Sequence, residues 1–111
     1  MRQISATELA QWLNDPARPA PLLLDVRQPW EFDTCRLAGA RLLPMAELPA
    51  RLEALQEEWP AGAPVVCICH HGARSLQVAA FLERQGFGAI HNLSGGMDAW
   101  AREVDPAMPT Y

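Results

Sequence analysis

The run Pro64-Val65-Val66-Cys67-Ile68-Cys69 is apolar throughout, and the residues after it, His70 to Ser75, open at once into a helical pattern over 75–85. Strand, tight loop and helix start follow one another without a gap. The rest of the chain repeats this alternation. Ser5 followed by Glu8 reads as a capping box that starts a helix running to about Asn14, with Leu9, Trp12 and Leu13 on its apolar face. Three prolines make 15–21 a loop. Leu22-Leu23-Leu24-Asp25-Val26 is a short apolar strand without clean alternation, the pattern of a strand covered on both faces. Pro29 suits the first turn of a short helix over 28–33, and a second short strand spans 40–43. Leu48, Leu52 and Leu55 mark a helix over 46–58, with Pro49 in its first turn, and Pro60-Ala61-Gly62 breaks the chain after it. Gly86 caps the helix of 75–85, 89–93 forms a last strand, 94–96 a turn, and 97–103 a final helix that carries Trp100. Strands alternating with helices predict an α/β fold: a small, mainly parallel central sheet flanked by helices on both faces, with residues 1–111 as a single domain. In such sheets ligands bind beyond the C-terminal strand ends, which is where Cys69 lies.

That position gives Cys69 a chemistry. A short loop that curls ahead of a helix turns its backbone N–H groups inward. With the positive end of the helix dipole behind it, such a nest holds an anion. A thiol pointing into it is favoured as the thiolate, its nucleophilic form. Gly72 permits a backbone conformation that a residue with a Cβ resists. Arg74 adds a permanent positive charge, and His70 and His71 add partial charge near neutral pH. The competing reading makes Cys69 a buried strand-end cysteine, since free cysteine is among the most buried residue types. The loop, Gly72, Arg74 and the helix start favour the reactive reading. Arg74 has two roles open to it: a charge stabilising the thiolate, or a structural arginine bonding the loop's carbonyls.

Composition narrows the functions available. A chain of 111 residues, half of them hydrophobic, suffices for one domain with a real core. A net charge of −4 with nine Lys+Arg argues against a nucleic-acid surface and against an anionic-membrane binder. No apolar stretch approaches the roughly 18 residues of a membrane span. The start, MRQISATELAQWL, lacks a signal-peptide apolar core. Three cysteines, Cys35, Cys67 and Cys69, are odd in number and lack paired metal-ligand spacing. Reduced thiols in a cytoplasmic protein are expected, with no metal and no organic cofactor.

Four segments carry a resemblance. They are Leu23-Leu24-Asp25-Val26-Arg27 with Glu31-Phe32 four residues on, Leu37-Ala38-Gly39-Ala40, CHHGARS at 69–75, and Leu93-Ser94-Gly95-Gly96 with Trp100. In this order, across nearly the whole chain, they resemble the first-strand signature, glycine-alanine turn, active-site loop and closing motif of the single-domain rhodanese-like sulfurtransferase family. The family usually has Gly-His where this chain has Cys35-Arg36. The resemblance implies an enzyme of the thiosulfate sulfurtransferase type. The Cys69 thiolate takes a sulfane sulfur from a small anionic donor such as thiosulfate, holds it as Cys–S–S⁻, and passes it to cyanide or a thiol. A protein persulfide is a further candidate partner. The resemblance also implies that His70, His71, Gly72, Ala73, Arg74 and Ser75 bind the donor, and it adds Arg27 as a rim group that attracts it. Read without the family, Arg27 is an ion-pair partner of Glu31 or Asp25. Thiosulfate is a dianion and a terminal persulfide sulfur is anionic, so both suit convergent N–H donors and positive charge.

Two other functions fit the same thiol. A cysteine-dependent phosphatase or arsenate reductase also uses a thiolate in an anion loop with a trailing arginine. Phosphatases resembling this architecture place one residue more between Cys and Arg. Here four residues, His70 to Ala73, separate Cys69 from Arg74, which tightens the nest around a single sulfur. A non-catalytic rhodanese-like binding module is the third reading, but a scaffold has no physical need for a thiol at this position. Cys67, on the same side of the strand as Cys69 by parity, is a core residue or a resolving thiol. Cys35 lies in a loop with no evident link to Cys69. His91 reads as a packed or edge histidine, and Trp12, Trp30, Trp59 and Trp100 as core or helix-packing anchors.

Overall fold

A computed structural model describes residues 1–60 and 62–111; Ala61, in the expected break at Pro60-Ala61-Gly62, lies outside them. In chain order the elements are β1 (Arg2–Ile4), α1 (Ala6–Leu13), β2 (Leu22–Asp25), α2 (Pro29–Thr34), β3 (Arg41–Leu42), α3 (Leu48–Glu58), β4 (Val65–Ile68), α4 (Ala73–Arg84), β5 (Ile90–Leu93) and α5 (Gly96–Glu103). A single 3-10 turn, Met45–Glu47, precedes α3. The strands form one sheet in the order β1-β5-β4-β2-β3, and every pairing is parallel. No helix among the described residues is long and apolar enough to cross a membrane.

The apolar runs of β2 and β4 follow from the two layers that cover them. Alternate residues of β2 and β4 point to opposite faces. Leu22, Leu24, Val65 and Cys67 pack with Leu48 and Leu55 of α3 and Val78, Ala79 and Leu82 of α4. Leu23, Val66 and Ile68 pack on the other face with Leu9 and Trp12 of α1 and Met97 and Trp100 of α5. Over residues 22–24 and Val65–Ile68 both faces meet a core, which is why no alternation marks them, and the polar Asp25 appears only at the carboxyl end of β2.

Local chemistry fixes the helix ends. Ser5 and Glu8 form the expected capping box: the Glu8 N–H donates to Ser5 Oγ at 3.1 Å and the Ser5 N–H to Glu8 Oε1 at 2.9 Å. The α-helix expected from residue 46 begins at Leu48. Pro49 lacks an amide proton and fits only within the first turn, so the residues before it close a 3-10 turn instead.

One strand carries no sequence signature. Arg2 and Gln3 are exposed and only Ile4 is buried, so no apolar run marks β1. Pairing beside β5, with Ile4 opposite Leu93, makes it a strand. His91 of β5 stands edge-on to Trp12, with ring centroids 5.2 Å apart.

Candidate active site

Cys69 is the first residue beyond β4, which is flanked by β2 and β5, so its sulfur lies at the carboxyl end of the sheet. The side chain is 1% exposed and shares a core face with Cys67, as strand parity requires. Two donors reach the sulfur: the Gly72 N–H at 3.1 Å and the Ser75 hydroxyl at 3.2 Å. Gly72 aims its N–H by adopting φ +101°, a left-handed conformation that strains any residue with a Cβ. It is also the N-cap of α4, so the helix begins at Ala73 rather than at the expected Ser75. Ala73 and Arg74 therefore occupy the first helical turn. The unpaired N–H groups of a twelve-residue helix open beside the sulfur.

The loop's carbonyls point the other way. The Met97 N–H donates to the Cys69 carbonyl at 2.9 Å and the Asp98 N–H to the His70 carbonyl at 3.0 Å. The N-terminus of α5 thus absorbs the loop's acceptors and leaves donors toward the sulfur. This approach requires glycine at 96, where a Cβ would fall 2.4 Å from both carbonyl oxygens.

Ser75 is set by a residue that the sequence reading did not single out. Asn92 of β5 is 1% exposed, with its Oδ1 2.5 Å from Ser75 Oγ. Its Nδ2 donates to the Gly72 carbonyl at 3.2 Å and to Gln3 Oε1 at 2.9 Å, so Oδ1 faces the hydroxyl. Ser75 has one hydroxyl proton and two acceptors within reach, Asn92 Oδ1 and the Cys69 sulfur. An amide within a buried strand must find such partners, and that was the available signal.

Both arginines are engaged. Arg74 donates from its two terminal nitrogens to the Glu31 carboxylate of α2, at 2.7 and 2.8 Å. Against the opposing cost of burial, this fork holds the Glu31 carboxyl at about 2. Arg74 thereby ties α4 to α2 and does not bond the loop's carbonyls. Arg27, expected at the pocket rim, is instead 0% exposed. Its guanidinium donates to Asp25 at 2.7–3.1 Å, to the Cys35 carbonyl at 2.6 Å and to the Tyr111 hydroxyl at 2.9 Å. Of the two acids expected to pair with it, Asp25 does so, and Glu31 offers only its backbone carbonyl, at 3.3 Å.

The histidines line the mouth. The His70 ring lies 3.9 Å from that of His71 and is stacked at 3.9 Å on Tyr111. Burial, with the neighbouring His71 adding to it, pushes the His70 pKa down. His71 is largely exposed and reaches Asp98 at 3.9 Å. Ligand atoms of His70, His71 and Asp98 gather within 4.8 Å of one another. The Tyr111 hydroxyl, whose pKa burial raises to about 12, bridges Arg27 and Glu31.

The other candidates separate clearly. Burial, with the charge of Cys69 adding to it, pushes the Cys67 thiol up to about 12, so it stays protonated as a core residue. Cys35 belongs to the opposite core face and packs near His70 and Tyr111. Trp30, expected as a packing anchor, is 59% exposed and touches Tyr111 edge-on at 5.3 Å. Among the described residues, those lining a cavity of about 250 Å³ between Trp59 and Phe87 include no ionisable side chain.

Residues 5–103 match the profile of the rhodanese-like domain. The chain is 39% identical over 106 residues to a protein named sulfurtransferase from Allochromatium vinosum, covering 96% of this chain and 94% of that protein. It is 31% identical over 112 residues to the rhodanese-like/PpiC domain-containing protein 12, chloroplastic, of Arabidopsis thaliana, and spans 38% of that protein's length. The crystal structure of a rhodanese-like domain protein from Staphylococcus aureus is similar with a TM-score of 0.79 and 30% identity, covering 94% of this chain and 95% of that one.

Proposed function

The chain belongs to the rhodanese-like domain family, and from that membership we propose that it is a sulfurtransferase working through a persulfide on Cys69. In the first half-reaction the Cys69 thiolate attacks the sulfane sulfur of a donor such as thiosulfate. The donor's S–S bond breaks, sulfite leaves with the bonding pair, and Cys69–S–S⁻ remains. In the second, cyanide or a thiolate attacks the outer sulfur and the Cys69 thiolate leaves. Neither step calls for a metal or an organic cofactor. The segment His70, His71, Gly72, Ala73, Arg74 and Ser75 binds the donor and the persulfide chiefly through N–H and O–H groups. Arg27 acts from beneath, by holding Asp25 and the Cys35 carbonyl. Residues 1–111 work as one unit, and the three free cysteines suit a reducing compartment such as the cytoplasm.

The observation that carries this reading is the pair of donors on one sulfur, from Gly72 and Ser75, at the start of a helix. Intact mass after incubation with excess thiosulfate tests it. We expect the gain of one sulfur atom, removed by a thiol reductant and absent from Cys69→Ser. A gain that persists in Cys69→Ser rules the mechanism out.

A further inference from the structure

His70 and His71 follow the thiol directly, and α5 brings Asp98 to them from far along the chain. The ligand atoms of the three side chains lie within 4.8 Å of one another. Two of the three are held in place. The Asp98 N–H donates to the His70 carbonyl at 3.0 Å, so the backbones that carry these groups are already joined. The His70 ring is stacked on Tyr111 at 3.9 Å. Arg102 Nε steadies Asp98 Oδ2 at 3.1 Å, which leaves the carboxylate further lone pairs. His71 is the member with room to turn. Its side chain is 67% exposed, and its Nδ1 lies 3.9 Å from the same carboxylate oxygen.

We propose that His70, His71 and Asp98 bind one divalent cation of the zinc type, which fastens the thiol loop to α5. Two imidazoles and a carboxylate suit Zn²⁺, whereas hard cations such as Mg²⁺ favour all-oxygen sites. Ligand atoms about 2.1 Å from a tetrahedral ion stand about 3.4 Å apart. No pair in the group therefore has to close by more than about 1.4 Å. A turn of the exposed His71 ring supplies that movement. The same turn takes His71 off the His70 ring, 3.9 Å away, and lets an in-plane lone pair of each ring meet the ion. Three protein ligands leave the fourth position to water. The ion takes no part in either half-reaction, and its site does not depend on the persulfide reading. Because it ties 70–71 to 98 only in the folded chain, its binding stabilises the fold by mass action.

The test uses tag-free protein carrying Cys69→Ser, so that the loop's thiol is no competing ligand, with Zn²⁺ and Co²⁺ as the probes. Titration calorimetry should show one Zn²⁺ bound per chain. Co²⁺ should give the visible bands of nitrogen and oxygen ligands without a sulfur charge-transfer band. Adding His70→Ala, His71→Ala or Asp98→Asn should each weaken Zn²⁺ binding about tenfold or more, since even a ligand's supporting partner is worth that much. The thermal midpoint of the Cys69→Ser protein should rise with Zn²⁺ concentration, and rise far less once a ligand is removed. His71 and Asp98 are 67% and 34% exposed, so their variants keep the test decisive if His70→Ala does not fold. Absence of binding, or an affinity unchanged in any one of the folded variants, overturns the proposal. A midpoint that ignores bound Zn²⁺ overturns the fastening of loop to helix. Because the thiol is absent throughout, no outcome of this test bears on sulfur transfer.

Discussion

Cys69, Cys67 and Cys35 are all buried, so depth alone does not distinguish them; their polar neighbours do. The sulfur of Cys69 receives an N–H and faces a hydroxyl, whereas burial holds Cys67 in its neutral form. Cys69→Ser should abolish thiosulfate-to-cyanide sulfur transfer while Cys35→Ser and Cys67→Ser keep most of it; loss of activity in Cys67→Ser with Cys69 intact contradicts the assignment. A second residue-scale expectation concerns pH. The Glu31 carboxyl is held at about 2, below its ordinary 4.5, by Arg74. A depressed acid contributes its full stability above the ordinary value and loses it as pH falls toward the folded one. The thermal midpoints of wild type and Glu31→Gln should therefore differ by a constant amount above pH 4.5 and converge between pH 4.5 and 2. Midpoints that run parallel down to pH 2 would mean that the Arg74 fork adds nothing to folding.

At the scale of elements, the loop from Cys69 to Arg74 divides into a turn of three residues, His70 to Gly72, and the first turn of α4. Periodicity placed the helix start at Ser75 because Leu76 is the first apolar residue on its face, while the left-handed Gly72 lets the helix begin earlier. The thiol, Gly72 and Arg74 were legible because their chemistry is local. The pairings of Asn92 with Ser75, Glu31 with Arg74 and Tyr111 with Arg27 were not, because the partners stand 17, 43 and 84 residues apart and no short pattern links them. Strand β1 escaped for the same reason: its neighbour β5 makes it a strand. The tight turn also bears on the rival chemistry. Wild-type protein should transfer sulfur yet show negligible aryl phosphate hydrolysis, and one glycine inserted beside Gly72 should reduce sulfur transfer. Aryl phosphate turnover that disappears in Cys69→Ser would reverse the ranking of the two reactions.

Across the whole molecule, order should fall from the middle of the sheet outward. β4 pairs on both sides and is covered by a core on each face, whereas β1 and the two-residue β3 are edge strands. Native-state hydrogen exchange should show β4 amides opening only with global unfolding and those of β1 and β3 exchanging much sooner. Equal protection from edge to centre would mean that the sheet opens as one unit. The site hangs from the protected strand, which steadies the sulfur against fraying at the rim. The contact of α5 with the loop has a further consequence, for portability. Gly96 lets Met97 and Asp98 claim the carbonyls of Cys69 and His70, so half of the instruction for the cradle is written more than twenty residues downstream of the thiol. A heptapeptide copied from 69–75 into a foreign strand-to-helix junction would carry the nucleophile without the clamp that turns its carbonyls aside. To transplant the reactivity, an engineer must move the glycine pair and the start of the following helix along with it.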